Sequence, residues 1–307
     1  MSGRREWDAA RTVDAARAAE LVARVRPELA GAPVSPLGTG WDNTVFLVGD
    51  QVVRFPRRAV ALPGFARELA VLPRIAALLP LPVPVPVWTG TDDDPDDPWP
   101  FAGAALVPGR ELADAGMADG DRVPAAAATG RFLRVLHGPA VLARVTTQDL
   151  PTDPLDRGWP AARATQTDEA LRGLVADGHW AGDPEVGRLL ASARRLDRPD
   201  GEPALVHGDL RVRHLLVHED RRAAGVIDWG DVCLADPAVD LGIGFAAFAG
   251  RARRAFLAAY GRIAGSRKLR ARALAVRLSA LLARYAAAEG RTALLAEAVA
   301  GLRRAVA

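Results

Sequence analysis

At 307 residues, half of them hydrophobic and a quarter charged, the chain has the composition of a soluble globular protein and the length of about two domains or lobes. A lone cysteine, Cys233, excludes an intrachain disulfide and fits a reducing compartment, and no apolar run approaches the ~20 residues of a membrane span. The pI of 9.7 rests on a net charge of only +3, with arginines scattered among carboxylates, which argues against a nucleic-acid partner.

The N-terminal stretch MSGRREWDAARTVD is charged throughout and has no signal-peptide apolar core, so a cytoplasmic protein with no membrane attachment is expected. Residues 13–25 repeat apolar positions at Ala15, Ala18, Leu21, Val22 and Val25, a helical stripe closed by Pro27. In LGTGWDNTVFLVGDQVVRFPRR, Leu37-Gly38-Thr39-Gly40 reads as a glycine-bearing turn. Asn43 to Val48 and Gln51 to Phe55 read as strands joined by Gly49-Asp50, where glycine in first place suits a II′ hairpin. Gly38 and Gly40 would let backbone N–H groups approach phosphates, although a plain tight turn also uses glycine. Lys268 is the only lysine, so any cation that holds phosphates in the first half of the chain must be arginine. Glu68 lies on a helical run whose apolar face is Phe65, Leu69 and Leu72, where it is the natural partner for Arg54 of the second strand. Pro73 is expected to kink or end that helix.

Residues 80–87, PLPVPVPV, must be extended, and the acidic run 91–100 reads as a solvated loop without a metal site. Phe101 to Val107 reads as a strand stopped by Pro108-Gly109. Residues 124–137 read as a helix with Phe132, Leu133 and Leu136 on one face, and His137 near its C-terminus as a surface residue. Residues 149–200 form an Asp-rich, proline-broken insertion, and 251–261, 268–288 and 291–306 are amphipathic helices.

The chemistry is concentrated in residues 205–241, LVHGDLRVRHLLVHEDRRAAGVIDWGDVCLADPAVDL. Strands at Leu215 to Val217 and Gly225 to Ile227 flank a charged turn, His218 to Arg222, as in a hairpin. A symmetric hairpin sets Leu215 opposite Ile227 and His214 opposite Asp228, with Asp209 opening onto the same edge. Two carboxylates and a polar side chain so placed can divide a task. One carboxylate orients and deprotonates a hydroxyl, and the other holds Mg²⁺ on nucleotide phosphates. Single aspartates are commonly turn or cap residues, but the set His207-Gly208-Asp209, His214, Asp228 and Asp236-Pro237-x-x-Asp240 is more specific than that.

This stretch resembles the catalytic core of the aminoglycoside phosphotransferase family, kinase-like enzymes that phosphorylate hydroxyls of small molecules, often antibiotics. The resemblance implies a two-lobed α+β protein-kinase-like fold: a small antiparallel N-lobe over residues 1–107 and a larger, mostly helical C-lobe over 108–307. It makes Asp209 the catalytic base, His214 and Asp228 the metal ligands, and His207 and Asp240 braces of the loop. It gives the roof segment Gly38, Gly40 and Asn43, with Arg54 and Glu68, to an ATP or GTP donor with Mg²⁺. Ala105 and Val107 then mark the hinge that meets the base. The expected acceptor is a hydroxylated small molecule, an aminoglycoside or a macrolide, and the expected state is a monomer or weak dimer. One departure stands out: His214 occupies a position that is usually Asn, a variant similar to macrolide phosphotransferases and some aminoglycoside 2″-kinases. Mg²⁺ prefers oxygen ligands, so His214 either binds a metal less typically or leaves part of the coordination to water. Arg211 and Arg213 flank the site, either to screen charge or as surface residues. Other readings are a nucleotide-binding protein whose metal site is spoiled by His214, a metabolic small-molecule kinase without antibiotic activity, and, from the pI alone, a nucleic-acid binder.

Overall fold

The computed structural model describes residues 9–92 and 94–307; the first residues of the charged N-terminal stretch and one aspartate of the acidic loop lie outside them. The chain divides into two units, one of residues 9–77 and 83–107, the other of Leu78–Pro82 and Pro108–Ala307.

In the first unit the apolar stripe forms helix α1 (Ala15–Val25), capped by Asp14, whose carboxylate accepts the Arg17 N–H at 2.8 Å. Five strands follow: β1 (Val34–Thr39), β2 (Asn43–Val48), β3 (Gln51–Pro56), β4 (Pro86–Thr91) and β5 (Pro100–Ala105). They form one antiparallel sheet in the order β1-β2-β3-β5-β4. Alternation along β2 buries Thr44, Phe46 and Val48. Phe46 joins Leu21, Val22, Val53, Phe55 and Phe101 in the core beneath α1. Val48 pairs with Gln51, and Gly49 adopts φ +61, as the first place of a II′ turn requires. Helix α2 (Leu62–Ile75) continues two residues past Pro73 and passes into a 3₁₀ turn, because the missing proline N–H falls in the last helical turn.

The glycine turn expected at residues 37–40 is not there. β1 runs through Gly38, which pairs with Val45, and Thr39, which pairs with Thr44, after a bulge between Pro36 and Gly38. Pro36 offers no ladder donor, and the extra residue is absorbed beside it. The chain reverses instead over residues 40–42, where the Gly40 N–H donates to the Asn43 carbonyl at 2.9 Å.

The second unit carries β6 (Arg110–Glu111), helix α3 (Val123–Leu136), and, from the insertion, α4 (Ala164–Ala176) and α5 (Pro184–Ala193). Strands β7 (Ala204–Val206), β8 (Leu215–Val217), β9 (Ala223–Val226) and β10 (Cys233–Ala235) follow, then helices α6 (Gly250–Tyr260), α7 (Gly265–Ala288) and α8 (Thr292–Val306). The strands form two small antiparallel sheets, β6-β8-β9 and β7-β10. Buried Val206, Cys233, Ala235 and Val239 pack against Leu274 and Leu278 of α7, which fixes β7, and the loop it feeds, on the helical layer. Helices α3 and α6 approach closely at Gly130, where a Cβ would come within 2.4 Å of the Phe256 carbonyl. Among the described residues no helix is long and apolar enough to cross a membrane.

Candidate functional site

The loop His207-Gly208-Asp209 leaves β7 through a backbone only glycine tolerates. Gly208 has φ +89, and a Cβ there would lie 2.1 Å from the Asp231 carbonyl. Asp240, fully buried, accepts the N–H of His207 at 2.7 Å on Oδ2 and that of Gly208 at 3.0 Å on Oδ1. The His207 ring accepts the Asp209 N–H at Nδ1, so Nε2 carries the proton and donates to the Ile227 carbonyl at 3.0 Å. Gly208→Ala is therefore expected to cost stability by at least about 1–3 kcal/mol from backbone conformation alone, with the clash added. Denaturant unfolding measures this, and a loss of no more than an ordinary surface substitution would show that the loop has another conformation.

Asp209 is buried. Its Oδ2 accepts from Arg211, while Oδ1 is shielded from solvent and has no hydrogen-bond partner. Burial alone would raise the Asp209 pKa, but the guanidinium groups of Arg211 and Arg157 outweigh it and bring the carboxyl to about 2. Arg157 comes from the insertion. It donates to the Gly208 carbonyl and, at 2.8 Å, to Asp231 Oδ2. Arg213 is turned away and pairs with Glu111 of β6 at 3.1 Å.

His214 stands at the start of β8 with its Nδ1 2.7 Å from the Asp209 carbonyl oxygen. That oxygen can only accept, so Nδ1 bears the proton and Nε2 offers a lone pair. Nε2 lies 3.1 Å from Asp228 Oδ2, and the Asp228 side chain is half exposed. Burial lowers the His214 pKa and keeps the ring neutral. Asp228 itself holds φ +68, a left-handed conformation unusual for a side-chain-bearing residue.

The hairpin brings His214 and Asp228 together by a different register from the symmetric one. Leu215 pairs with Val226 rather than Ile227, and Leu216 with Gly225, whereas Val217 pairs with Ala223. Ala224 is thus an extra residue in β9, a bulge that shifts the strand end by one. The Ile227 N–H donates to the His214 carbonyl, and Asp228 reaches His214 from beyond the ladder through its turned backbone.

His137 is also placed differently from expectation. Its side chain is buried, with Nε2 3.1 Å from Asp240 Oδ2 and Nδ1 3.0 Å from the Tyr260 hydroxyl. Helix C-terminus chemistry made it a surface candidate, but the partner carboxylate lies 103 residues away in sequence. Arg157, Asp231, His137 and Tyr260 were not visible as partners of the loop. No spacing ties them to it, and only Asp231, three residues after Asp228, had a local cue.

The first unit holds the other candidate residues. Arg54 and Glu68 form a two-pronged ion pair, Nη2–Oε1 2.6 Å and Nη1–Oε2 2.9 Å, with Glu68 fully buried and the Arg54 guanidinium 5.5 Å from the Phe65 ring centre. Gly38 and Gly40 have ordinary negative or extended φ. A Cβ at Gly38 would meet nothing within 4 Å, and at Gly40 only the Asn43 carbonyl at 3.8 Å, so packing within the chain does not require glycine at either position. Asn43 opens β2, and its Oδ1 is buried without a partner. Ala105 ends β5 exposed, and Val107, two residues on, is buried.

Donor chemistry decides whether a divalent cation fits. Among the described residues no three His, Cys, Asp or Glu side chains gather as a complete metal cage. The His214 Nε2 and Asp228 Oδ2 atoms are both acceptors facing at 3.1 Å, an arrangement that needs a proton or a cation between or beside them. One carboxylate plus one imidazole fits a cation that takes its remaining ligands from phosphate and water, the usual habit of Mg²⁺ at phosphoryl-transfer sites.

The sequence profile of the phosphotransferase enzyme family (APH) matches residues 33–276. No curated protein matches the chain by sequence. Among solved structures, the GDP and kanamycin complex of APH(2″)-IIIa is similar at 20% identity, covering 93% of this chain and 97% of that one with a TM-score of 0.67. A macrolide 2′-phosphotransferase of Brachybacterium faecium, solved as apoenzyme, is 23% identical over 93% of this chain and 97% of its own, TM-score 0.61. A gentamicin complex of APH(2″)-IIa is 18% identical over 95% and 97%, TM-score 0.57. At these identities the likeness establishes the fold, a two-lobed α+β kinase-like architecture.

Proposed function

The chain belongs to the phosphotransferase enzyme family and is an O-phosphotransferase, and from that premise we propose that it moves the γ-phosphoryl group of ATP or GTP to a hydroxyl of a small molecule. The observation that carries this reading is Asp209 Oδ1, a desolvated carboxylate oxygen with no partner, while beyond it His214 Nε2 and Asp228 Oδ2 face each other as two acceptors. Such an oxygen takes a hydrogen bond from an acceptor hydroxyl, while Arg211 holds the other oxygen and fixes the rotamer. The acceptor oxygen attacks the γ-phosphorus, the bond from that phosphorus to the β–γ bridging oxygen breaks, and the nucleoside diphosphate leaves. The hydroxyl proton passes to Asp209 Oδ1. With a pKa of about 2 the carboxylate is always ionised but weakly basic, so it orients the hydroxyl first and takes its proton late, as suits a loose transition state.

His214 Nε2 and Asp228 Oδ2 would hold Mg²⁺, which when bound neutralises phosphate charge. In the first unit the Arg54–Glu68 pair would present a guanidinium to the nucleotide phosphates, and the open space over Gly38 and Gly40 would admit them to backbone N–H groups. Asn43, Ala105 and Val107 complete the proposed nucleotide contacts, the last two at the end of the β5 segment, where residues 1–107 are taken as the nucleotide-binding lobe and 108–307 as the acceptor lobe. Arg54→Ala is expected to raise the nucleotide KM by about tenfold or more, and Arg54→Lys to recover part of the loss, since lysine keeps the charge but not the two-pronged geometry. Initial-rate kinetics at saturating acceptor checks this, and an unchanged KM in Arg54→Ala leaves the pair a scaffold element only.

Kanamycin, gentamicin and macrolides, the compounds connected with the similar structures, set the first acceptor class to test. A metabolic, non-antibiotic acceptor is the second reading, favoured by the arginine-lined depression described below. A coupled nucleotide-turnover screen across aminoglycosides, macrolides and other hydroxylated compounds, with ATP and with GTP, tests the activity. Nucleotide binding without turnover on any acceptor would leave a nucleotide-binding protein.

A further inference from the structure

Beside the Asp209 loop, within the second unit, lies a small, open depression walled by the 3₁₀ turn Pro160–Arg163, α4, the end of α5 and α7. Four arginines line it, Arg157, Arg163, Arg194 and Arg277, together with Thr167 and apolar Leu190 and Leu274, and no carboxylate does. Two of the four are neutralised from behind: Arg157 pairs with Asp231 and Arg194 with Asp168. The other two bond only neutral oxygens, Arg163 the Leu155 carbonyl and Arg277 the Gln166 amide oxygen at 2.6 Å. The Nε atoms of Arg277 and Arg194 are buried with no hydrogen-bond partner.

Converging guanidinium groups that are partly stripped of water and short of counter-charge are costly, and that cost falls when an anion enters. The strain registers in Arg277, whose pKa drops to about 10 because burial and the nearby charges of Arg157 and Arg163 outweigh the opposing pull of the Asp209 carboxylate. Arg157 also donates to the Gly208 carbonyl, so the depression is joined directly to the loop that carries Asp209. A polycationic acceptor would meet like charge here.

We propose that this depression binds an oxyanion group, a carboxylate or a phosphate, of the acceptor molecule, so that the acceptor is an anionic hydroxylated compound rather than a cationic one. Arg277 and Arg163 supply the unneutralised charge, Arg157 ties the anion site to the catalytic loop, and Leu190 and Leu274 take the apolar part of the molecule. The inference rests on the phosphotransfer reading only for the word acceptor; the anion site itself does not depend on it.

The test compares D-glucuronate, D-glucose 6-phosphate, D-glucose and kanamycin, by calorimetric binding at constant chloride and by nucleotide turnover. At least one of the two anionic sugars is expected to bind one per chain and more tightly than glucose or kanamycin, and which of the two does so identifies carboxylate or phosphate. Arg277→Gln and Arg163→Gln should each weaken that binding by about 10- to 100-fold, the scale of a lost charge-assisted hydrogen bond. Arg277→Lys should recover part of it, which separates loss of charge from loss of fold. Failure of both anions to bind, equal binding by the Gln variants, or kanamycin or glucose bound as tightly as either anion would overturn the inference. If the phosphotransfer reading is what fails, no acceptor raises nucleotide turnover, yet anion binding and its loss in both variants persist.

Discussion

Asp209→Asn is expected to lower kcat by about 10²–10⁴ while leaving Mg²⁺-nucleotide affinity nearly intact. The substitution keeps the shape of the side chain but exchanges a permanent negative charge for a neutral amide. The charge matters twice. Arg211 and Arg157 lie close enough to hold the carboxyl at about 2, so it is ionised at every pH at which the protein is handled. An acceptor hydroxyl would therefore always find an acceptor oxygen at Oδ1, and no acid limb of the activity profile above about pH 3 can come from Asp209. The amide can still accept a hydrogen bond through its oxygen but cannot take the proton. Binding and turnover must consequently separate: calorimetry with Mg²⁺-nucleotide should give near-parental affinity, and single-turnover rates should give the loss. If Asp209→Asn turns over a confirmed acceptor at near-parental rate, the hydroxyl is activated elsewhere. If it loses nucleotide binding as well, Asp209 acts through the loop. A parallel thermal melt is informative, because removing the carboxylate leaves Arg211 without its ion pair, and the melt reports that cost apart from chemistry.

What was legible in the sequence depended on distance along the chain. The β2–β3 hairpin, with glycine first in its two-residue loop, could be read because turn type is decided by a residue's own allowed φ. Arg54 and Glu68 could be read as partners because only one arginine of the strand lies 14 residues from a helical carboxylate and no lysine competes. Asp209, His214 and Asp228 could be grouped because a five-residue turn folds them back locally, although β9 starts at Ala223 rather than Gly225 and the bulge at Ala224 recovers one of the two residues of register this costs. The glycines of residues 37–40 misled for a related reason. They read as a turn, but Pro36 is accommodated by a bulge and the strand simply continues.

His137 shows the opposite case. Its helix end favours a histidine on dipole grounds, and nothing nearby reveals that α6 supplies Tyr260 and the short helix Ala238–Leu241 after β10 supplies Asp240. The arginine-lined depression is likewise invisible locally, since its four cations come from separate segments of an insertion and a late helix. Charge counted along the chain shows aspartates throughout the insertion, whereas packing sets Arg157 and Arg194 into the depression and pairs two of those aspartates, Asp168 and Asp156, with Arg194 and Arg198.

Asp228→Ala is expected to abolish Mg²⁺-dependent nucleotide binding, a loss of 10²-fold or more on the scale of removing a charged ligand from an ion site, with little effect on folding. The carboxylate is half exposed and faces only the neutral His214 ring at 3.1 Å, so the fold loses little when it goes. The left-handed φ of +68 at this position makes a non-glycine residue costly in any case, and alanine inherits that cost without a carboxylate to hold a cation. The companion change His214→Asn separates the two ligands. In the parent, Nδ1 is tied to the Asp209 carbonyl and Nε2 faces Asp228, which makes the imidazole a nitrogen donor in a site otherwise supplied by oxygen. Imidazole tolerates Mn²⁺ better than an amide oxygen does, so the parent should show a higher Mn²⁺-to-Mg²⁺ activity ratio than His214→Asn. Burial has already lowered the His214 pKa below its usual 6.5, so proton competition at this ligand sets in only below that pH, and the asparagine variant should lack that acid limb. Calorimetry with Mg²⁺- and Mn²⁺-nucleotide on all three proteins decides the matter. Unchanged affinity in Asp228→Ala would make the carboxylate structural, and identical metal ratios in parent and His214→Asn would make the histidine a packing residue beside a metal held by other groups.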